Sequence, residues 1–185
     1  LTGGVDFRRF FEWFREREDA ENESGIPQTT LDELQTMLAR QPQLWQQLQQ
    51  LQASARDRQL TAVRSAIETF MPGFRNLKVR CKPRLHMSID KNDQTLNVLQ
   101  LSQSEKSLMA LVGDIARHLA MMNSALENPL HDQGIVLIDE VDMHLHPSWP
   151  RSIIERLTVT FPGCQFVLST HSPLVISDCK DVLVY

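Results

Sequence analysis

Two adjacent carboxylic acids, Asp139 and Glu140, follow the uncharged apolar run of residues 134–138. An apolar run without polar alternation predicts a strand that is buried on both faces, in a parallel sheet covered by helices. Ligands bind at the carboxyl ends of the strands in such sheets. One acid there suits a divalent metal, and the other suits the acceptance of a proton. These two residues are therefore the first candidates for chemistry.

His171 is the next candidate, because it follows a second predicted strand at residues 165–170. Between the two strands, apolar side chains recur at helical spacing, namely Trp149, Ile153, Leu157 and Phe161. A strand, a helix and a parallel strand form a βαβ unit, and both of its strands end at the same edge of the sheet. We therefore expect Asp139, Glu140 and His171 to lie close together.

The stretch from Leu101 to Ser107 has the features of a helix start that can bind an anion. Ser102 and Glu105 form the S-x-x-E pattern of a capping box, and an apolar stripe follows as far as Met122. Free backbone N–H groups and a partial positive charge at a helix N-terminus favour an anion. Taken alone, the same pattern is that of a well-capped helix.

The first part of the chain is predicted to be helical. Phenylalanines recur at helical spacing among charged residues at 6–23, and a glutamine-rich helical region from Thr30 ends in a helix at Arg58 to Phe70. An acidic segment before Gly25 and Pro27 predicts a linker near residues 19–29. We expect a helical region at residues 1–76 and a second domain at residues 77–185.

Apolar and basic residues alternate from Leu77 to Ile89, which predicts one strand, bent or at a sheet edge at Pro83, before a hairpin turn at residues 91–93. The polar face of this strand carries Lys78, Arg80, Lys82, Arg84 and His86. Basic side chains in register can meet a phosphate backbone. An edge strand that uses Lys and Arg against aggregation has the same pattern, so both interpretations stay open.

Composition restricts the class of protein. The 185 residues carry a formal net charge of -4, which gives no general argument for nucleic-acid binding. The three cysteines lie far apart, without the spacing of a disulfide framework or a zinc ribbon. No apolar run is long enough to span a membrane. We expect a cytoplasmic location, no membrane contact, and a fragment of a longer protein, since the chain begins at Leu1 and stops within an apolar run.

The motifs, in this order, resemble the C-terminal half of an ABC-type ATPase of the RecF, SMC and overcoming-lysogenisation-defect class. Residues 101–106 are similar to the signature loop, 135–140 to Walker B, 141–147 to the D-loop and 169–173 to the switch-histidine loop. Within the class, D-E-V-D-M-H-L-H-P is most similar to PtuA-type ATPases of the Septu and retron antiviral systems. The resemblance implies an α/β fold of the P-loop NTPase class, with parallel strands and flanking helices after a helical insertion.

This resemblance implies ATP and Mg²⁺ as cofactors and assigns roles at the strand ends. Asp139 would hold Mg²⁺, and Glu140 would accept the proton of the hydrolytic water. His171 would contact the γ-phosphate and report its presence.

The resemblance also implies a dimer bridged by ATP. Ser102, together with Ser104, Glu105 and Lys106, would contact the γ-phosphate of a nucleotide held on another protomer. A nuclease partner protein and DNA or RNA are further expected partners, in antiviral defence or DNA repair.

Two departures from the family pattern restrict these roles. Ser104 stands where the signature loop has a glycine, so its side chain would weaken the contact to phosphate. The sequence contains no G-x-x-x-x-G-K-[ST] loop, so the phosphate cradle and its lysine are missing. The chain is expected to hydrolyse ATP only when a Walker A lobe outside these residues completes it.

Two other functions stay open. The first is a regulatory or interaction lobe that binds without hydrolysing, although such a lobe would be free to lose Glu140. The second is a metal-dependent nuclease, whose ligands would be Asp139, Glu140, Asp142, His144 and His146.

Overall fold

The computed structural model describes residues 7–24, 37, 43, 44, 46, 57–82, 84–123, 128–142, 149–177 and 182–184. The helices are α1 (Phe7–Ser24), α2 (Arg58–Phe70), α3 (Gln103–Met122) and α4 (Ile153–Thr160). An antiparallel sheet has the order β1 (Phe74–Arg80), β2 (His86–Lys91), β3 (Gln94–Asn97), and β4 (Gly134–Ile138) pairs in parallel with β5 (Cys164–Leu168). The predicted α/β class, with parallel strands and flanking helices, is confirmed. No helix in the described ranges has the length and apolarity needed to cross a membrane.

The aromatic face of α1 packs into the core, as its helical spacing predicts. Phe10 and Phe14 are buried in the same cluster as Leu108 of α3. A methyl group on Gly113 would lie 2.4 Å from the Phe10 ring, so the glycine allows α1 to approach α3 closely. The division of the chain at residue 76 stays a prediction, and β1 spans that position.

Helix α1 continues to Ser24, so the first part of the linker predicted near residues 19–29 is helical instead. The Glu21 carboxylate explains the difference, because it accepts hydrogen bonds from the backbone N–H of Asp57 at 3.0 Å and from Arg64 at 2.9 Å. These bonds hold an acidic segment that would otherwise favour a turn. The rest of that range, and most of the helical region predicted between Thr30 and α2, lie outside the described residues.

The prediction of a single strand from Leu77 to Ile89 is wrong, because the chain folds back within this range and forms two strands. β1 pairs antiparallel with β2, and Val79 lies opposite Met87. Residues an even number of positions apart share a face in either arrangement, so the alternation cannot distinguish one long strand from a hairpin. The turn predicted at residues 91–93 is confirmed, and Asn92 and Asp93 have the positive φ angles of a two-residue hairpin turn.

The pair β4 and β5, joined through α4, forms the predicted βαβ unit. Val136 and Ile138 pack against the core, together with Phe166. The predicted burial of β4 on both faces is wrong for the described residues. Ile135 and Leu137 are 69% and 75% exposed, because the described helices cover only the opposite face.

Candidate active site

The ends of β4 and β5 bring the predicted acid pair and the predicted histidine together. Asp139 and Glu140 follow β4 directly, and both are exposed. His171 follows β5, and its Nε2 lies 3.9 Å from Oε1 of Glu140. The parallel pairing of the two strands therefore places the three side chains at one edge, as the order of elements predicts.

Ser169 connects the two strand ends and was not among the predicted site residues. Its backbone N–H donates to the carbonyl of Ile138 at 3.0 Å, and its carbonyl accepts from the N–H of Val141 at 3.0 Å. Its hydroxyl accepts from the N–H of Glu140 at 2.8 Å and donates to Oδ1 of Asp139. The available signal in the sequence was a hydroxyl residue at the end of a strand, two positions before the histidine.

Thr170 makes the next connection between the same two segments. Its hydroxyl donates to Oδ1 of Asp142 and accepts from the N–H of Ser172 at 3.0 Å. The residue before His171 is thus bonded to the segment that follows β4, and the residue after it is bonded to Thr170.

The backbone of Glu140 has φ of 49°, in the left-handed region. A residue other than glycine is destabilised in this region by about 1 to 3 kcal/mol, unless contacts with its surroundings compensate. The hydrogen bond from its N–H to Ser169 fixes the conformation. Strain of this kind is concentrated at active sites, which is consistent with a catalytic acid here.

The predicted capping box at the start of α3 is confirmed. The Ser102 hydroxyl accepts from the N–H of Glu105 at 3.3 Å, and the Glu105 carboxylate accepts from the N–H of Ser102 at 2.9 Å. Lys91 adds an ion pair with Glu105 at 2.7 Å. Burial opposes ionisation of Glu105, but the bonds from Lys91 and Ser102 outweigh it and lower the pKa of this carboxyl.

The four residues predicted to contact a nucleotide, Ser102, Ser104, Glu105 and Lys106, therefore lie at the cap and in the first turn of α3. Ser102 and Glu105 bond to each other, and Glu105 also bonds to Lys91. The nucleotide contact from this helix start stays a prediction.

The described residues contain no group of three or more His, Cys, Asp or Glu side chains placed to hold a metal ion. His144 and His146 of the alternative nuclease site lie outside the described residues. Asp139 nevertheless suits Mg²⁺, which commonly binds through one or two carboxylates, several waters and the phosphates of a substrate. Its carboxylate is exposed and is oriented by Ser169.

A family model described as "AAA domain, putative AbiEii toxin, Type IV TA system" matches residues 5–177. The chain belongs to this AAA domain family. The match includes both strand ends and the start of α3, so the acid pair, the histidine and the capped helix are all within the shared domain.

This AAA domain is similar to two retron ATPases and to a Septu protein. It is 38% identical to the retron Vc95 probable ATPase of Vibrio cholerae serotype O1 biovar El Tor, over 96% of this chain and 37% of that protein. It is 41% identical to the retron Ec83 probable ATPase of Escherichia coli, over 95% of this chain and 38% of that protein. The Septu protein PtuA of Bacillus mycoides is 43% identical over 44% of this chain and 11% of that protein.

The predicted resemblance to ATPases of this class, with retron and PtuA proteins among them, is confirmed. The chain spans 37% and 38% of the two retron relatives. A solved structure of an SMC ATPase, from work on ATP-driven dimerization and DNA stimulated activation, has a TM-score of 0.45 and 16% identity, covering 66% of this chain and 74% of that chain.

Proposed function

We propose that this AAA domain is the C-terminal catalytic lobe of an ATP-hydrolysing enzyme and that a phosphate-binding loop outside these residues completes its site. The observation that carries the proposal is the position of Asp139, Glu140 and His171 at one edge of the β4 and β5 pair, with 3.9 Å between the imidazole and the Glu140 carboxylate. Glu140, the proposed proton acceptor, and His171, the proposed phosphate sensor, are thus adjacent.

Glu140 accepts the proton of the attacking water in this proposal. Its carboxylate is exposed, and the backbone bond to Ser169 fixes the direction in which it leaves the strand end. A positioned base contributes about 10² to 10⁴ in rate. His171, 90% exposed in its side chain, is free to turn from Glu140 to a γ-phosphate oxygen.

Asp139 is the proposed holder of Mg²⁺. The bound ion would neutralise charge on the phosphate oxygens of ATP. Ser169 restrains the Asp139 carboxylate before any ligand arrives, so little reorganisation is needed on binding.

The exposed face of β4 and β5 supports the second part of the proposal. Ile135, Leu137 and Val167 are all more than half exposed there. Parallel strands are found almost only with both faces covered. Because the retron relatives are more than twice as long as this chain, the part that carries the phosphate-binding loop is the proposed cover.

The proposed assembly is a dimer in which the start of α3 contacts a nucleotide on the second copy. ATP binding and dimerisation would then be one linked equilibrium. The proposed output is control of a nuclease partner or of DNA or RNA. Exposed basic side chains at Lys78, Lys82 and Arg84 support nucleic-acid contact.

The test is Glu140→Gln in the complete protein. Loss of the proton acceptor is expected to lower kcat by about 10² to 10⁴, while ATP still binds and the dimer accumulates. Steady-state phosphate release measures turnover, and light scattering with ATP and Mg²⁺ measures the dimer.

The matched control is Glu155→Gln, which removes the same charge from an exposed position on α4. This variant is expected to keep the parent turnover. Equal turnover of Glu140→Gln and the parent protein, or DNA cleavage with metal and no nucleotide, would contradict the proposed function.

A further inference from the structure

Ser169 uses all of its hydrogen-bonding groups on four consecutive residues of the facing segment. The backbone N–H and carbonyl bond to Ile138 and Val141, and the hydroxyl bonds to both Asp139 and Glu140. The backbone of Ser169 thus continues the pairing of β4 with β5 past the end of the regular ladder, and its hydroxyl adds two bonds to the acids.

The two hydroxyl bonds restrain different features of the acid pair. The bond donated to Oδ1 selects the rotamer of the Asp139 carboxylate. The bond accepted from the N–H of Glu140 holds the left-handed backbone that directs the Glu140 side chain toward His171. One hydroxyl therefore sets the relative placement of the two acids.

The next residue links the same loop to the segment after the acids. Thr170 bonds Asp142 on one side and the N–H of Ser172 on the other. Ser169 and Thr170 therefore both bond the chain just before His171 to the turn that carries Asp139 and Glu140, and Ser172 is joined to it through Thr170.

We infer that Ser169 is a positioning residue for the proposed reaction: its hydroxyl aligns the metal-holding acid with the proton-accepting acid and ties both to the histidine loop. This inference rests on the proposed function. Hydrogen-bond partners that orient a metal ligand typically affect metal affinity or activity by about 10- to 100-fold. The hydroxyl of Ser169 has that relation to Asp139.

The test compares Ser169→Ala with Ser169→Thr in the complete protein. Mn²⁺ titration followed by electron paramagnetic resonance, with a non-hydrolysable ATP analogue present, reports the metal site without turnover. Ser169→Ala is expected to weaken Mn²⁺ binding about 10- to 100-fold and to lower kcat more than it changes KM. Ser169→Thr keeps the hydroxyl and is expected to stay within about threefold of the parent.

Binding of the analogue without metal, and the thermal unfolding midpoint, separate positioning from general damage. Both are expected to change little in Ser169→Ala. If the alanine variant does not fold, Ser169→Cys replaces it in the test, because cysteine has nearly the same volume as serine and its thiol is a weak donor. Ser169→Cys is also expected to bind Mn²⁺ more weakly than the parent protein.

Unchanged Mn²⁺ affinity in Ser169→Ala, or in Ser169→Cys where that variant is used, overturns the inference, as does a loss in Ser169→Thr equal to that in Ser169→Ala. If Glu140→Gln still abolishes turnover in the same preparation, the proposed function survives that failure. A parent protein that neither binds nor hydrolyses ATP instead contradicts the proposed function, and the role of Ser169 with it.

Discussion

At the scale of single residues, the backbone of Glu140 is the most informative feature. The other described non-glycine residues with positive φ are Asn76, Asn92 and Asp93. Their short polar side chains tolerate the left-handed region, and two of them form the β2 to β3 turn. Glutamate has no such preference, so its conformation at residue 140 depends on its surroundings, in which the Glu140 N–H donates to the Ser169 hydroxyl.

Glycine and alanine at position 140 are expected to differ in stability. Both variants lack the carboxylate, but only alanine keeps a Cβ at φ of 49°. The unfolding free energy of Glu140→Gly is expected to exceed that of Glu140→Ala by about 1 kcal/mol. Urea unfolding of the complete protein measures the difference.

Equal stability of those two variants would mean that the turn relaxes once the carboxylate is gone, and would contradict a strained backbone. Turnover provides the internal control, because both variants are expected to lose it equally.

The acid pair and the histidine could be predicted from the sequence, because the acids directly follow one apolar run and the histidine follows another after two hydroxyl residues. Ser169 could not, since its role depends on parallel pairing in register with β4, which places it opposite the turn after Ile138. A serine at a strand end has many possible partners until that register is known.

At the scale of elements, one arginine joins α1, α2 and β1. The Arg64 guanidinium bonds to Glu18 at 2.8 Å, to Glu21 at 2.9 Å and to the carbonyl of Leu77 at 3.3 Å. Burial raises the pKa of Glu18, although the N–H of Val79 and the charge of Arg64 act in the opposite direction. These contacts hold the end of α1 against the sheet.

Glu18→Ala is expected to loosen α1 specifically. It removes a charged hydrogen-bond partner from Arg64 and leaves the Val79 N–H without its acceptor, at a cost of about 2 kcal/mol. Hydrogen exchange in the complete protein is expected to be roughly thirtyfold faster in α1 and β1. Peptides from α3 report whether the rest of the domain is intact.

Glu12→Ala is the matched control on the same helix, because the pair of Glu12 with Arg8 is exposed and such pairs contribute little. The same exchange rates in both variants would contradict a structural role for the Arg64 cluster.

The long-range part of this cluster explains why the predicted linker began too early. Acidic residues near a glycine and a proline favour a turn when only neighbours in the sequence are considered. Glu18 and Glu21 find their partner more than 40 positions away, at Arg64. Helix boundaries that depend on such contacts are not readable from local composition.

At the scale of the whole molecule, the exposed face of β4 and β5 is the main difference between the predicted and the observed fold. The apolar run predicted two buried faces, and one of them is open in the described residues. The prediction would hold for a longer protein, in which a further element covers Ile135, Leu137 and Val167. The apolar pattern is therefore the one expected for a strand that the proposed longer protein covers on both faces.

Leu137→Asp in the complete protein tests whether a further element covers the exposed face of β4 and β5. A carboxylate placed in an apolar interface without a partner is expected to cost on the order of 3 kcal/mol and to lower the thermal unfolding midpoint by several degrees. Val159→Asp is the matched control, since Val159 is 62% exposed on α4, away from the sheet face, and it is expected to cost less than about 0.5 kcal/mol. Equal effects at the two positions would contradict a covered face. A dimer that separates in Leu137→Asp with no loss of monomer stability would instead assign the face to a second copy of the chain.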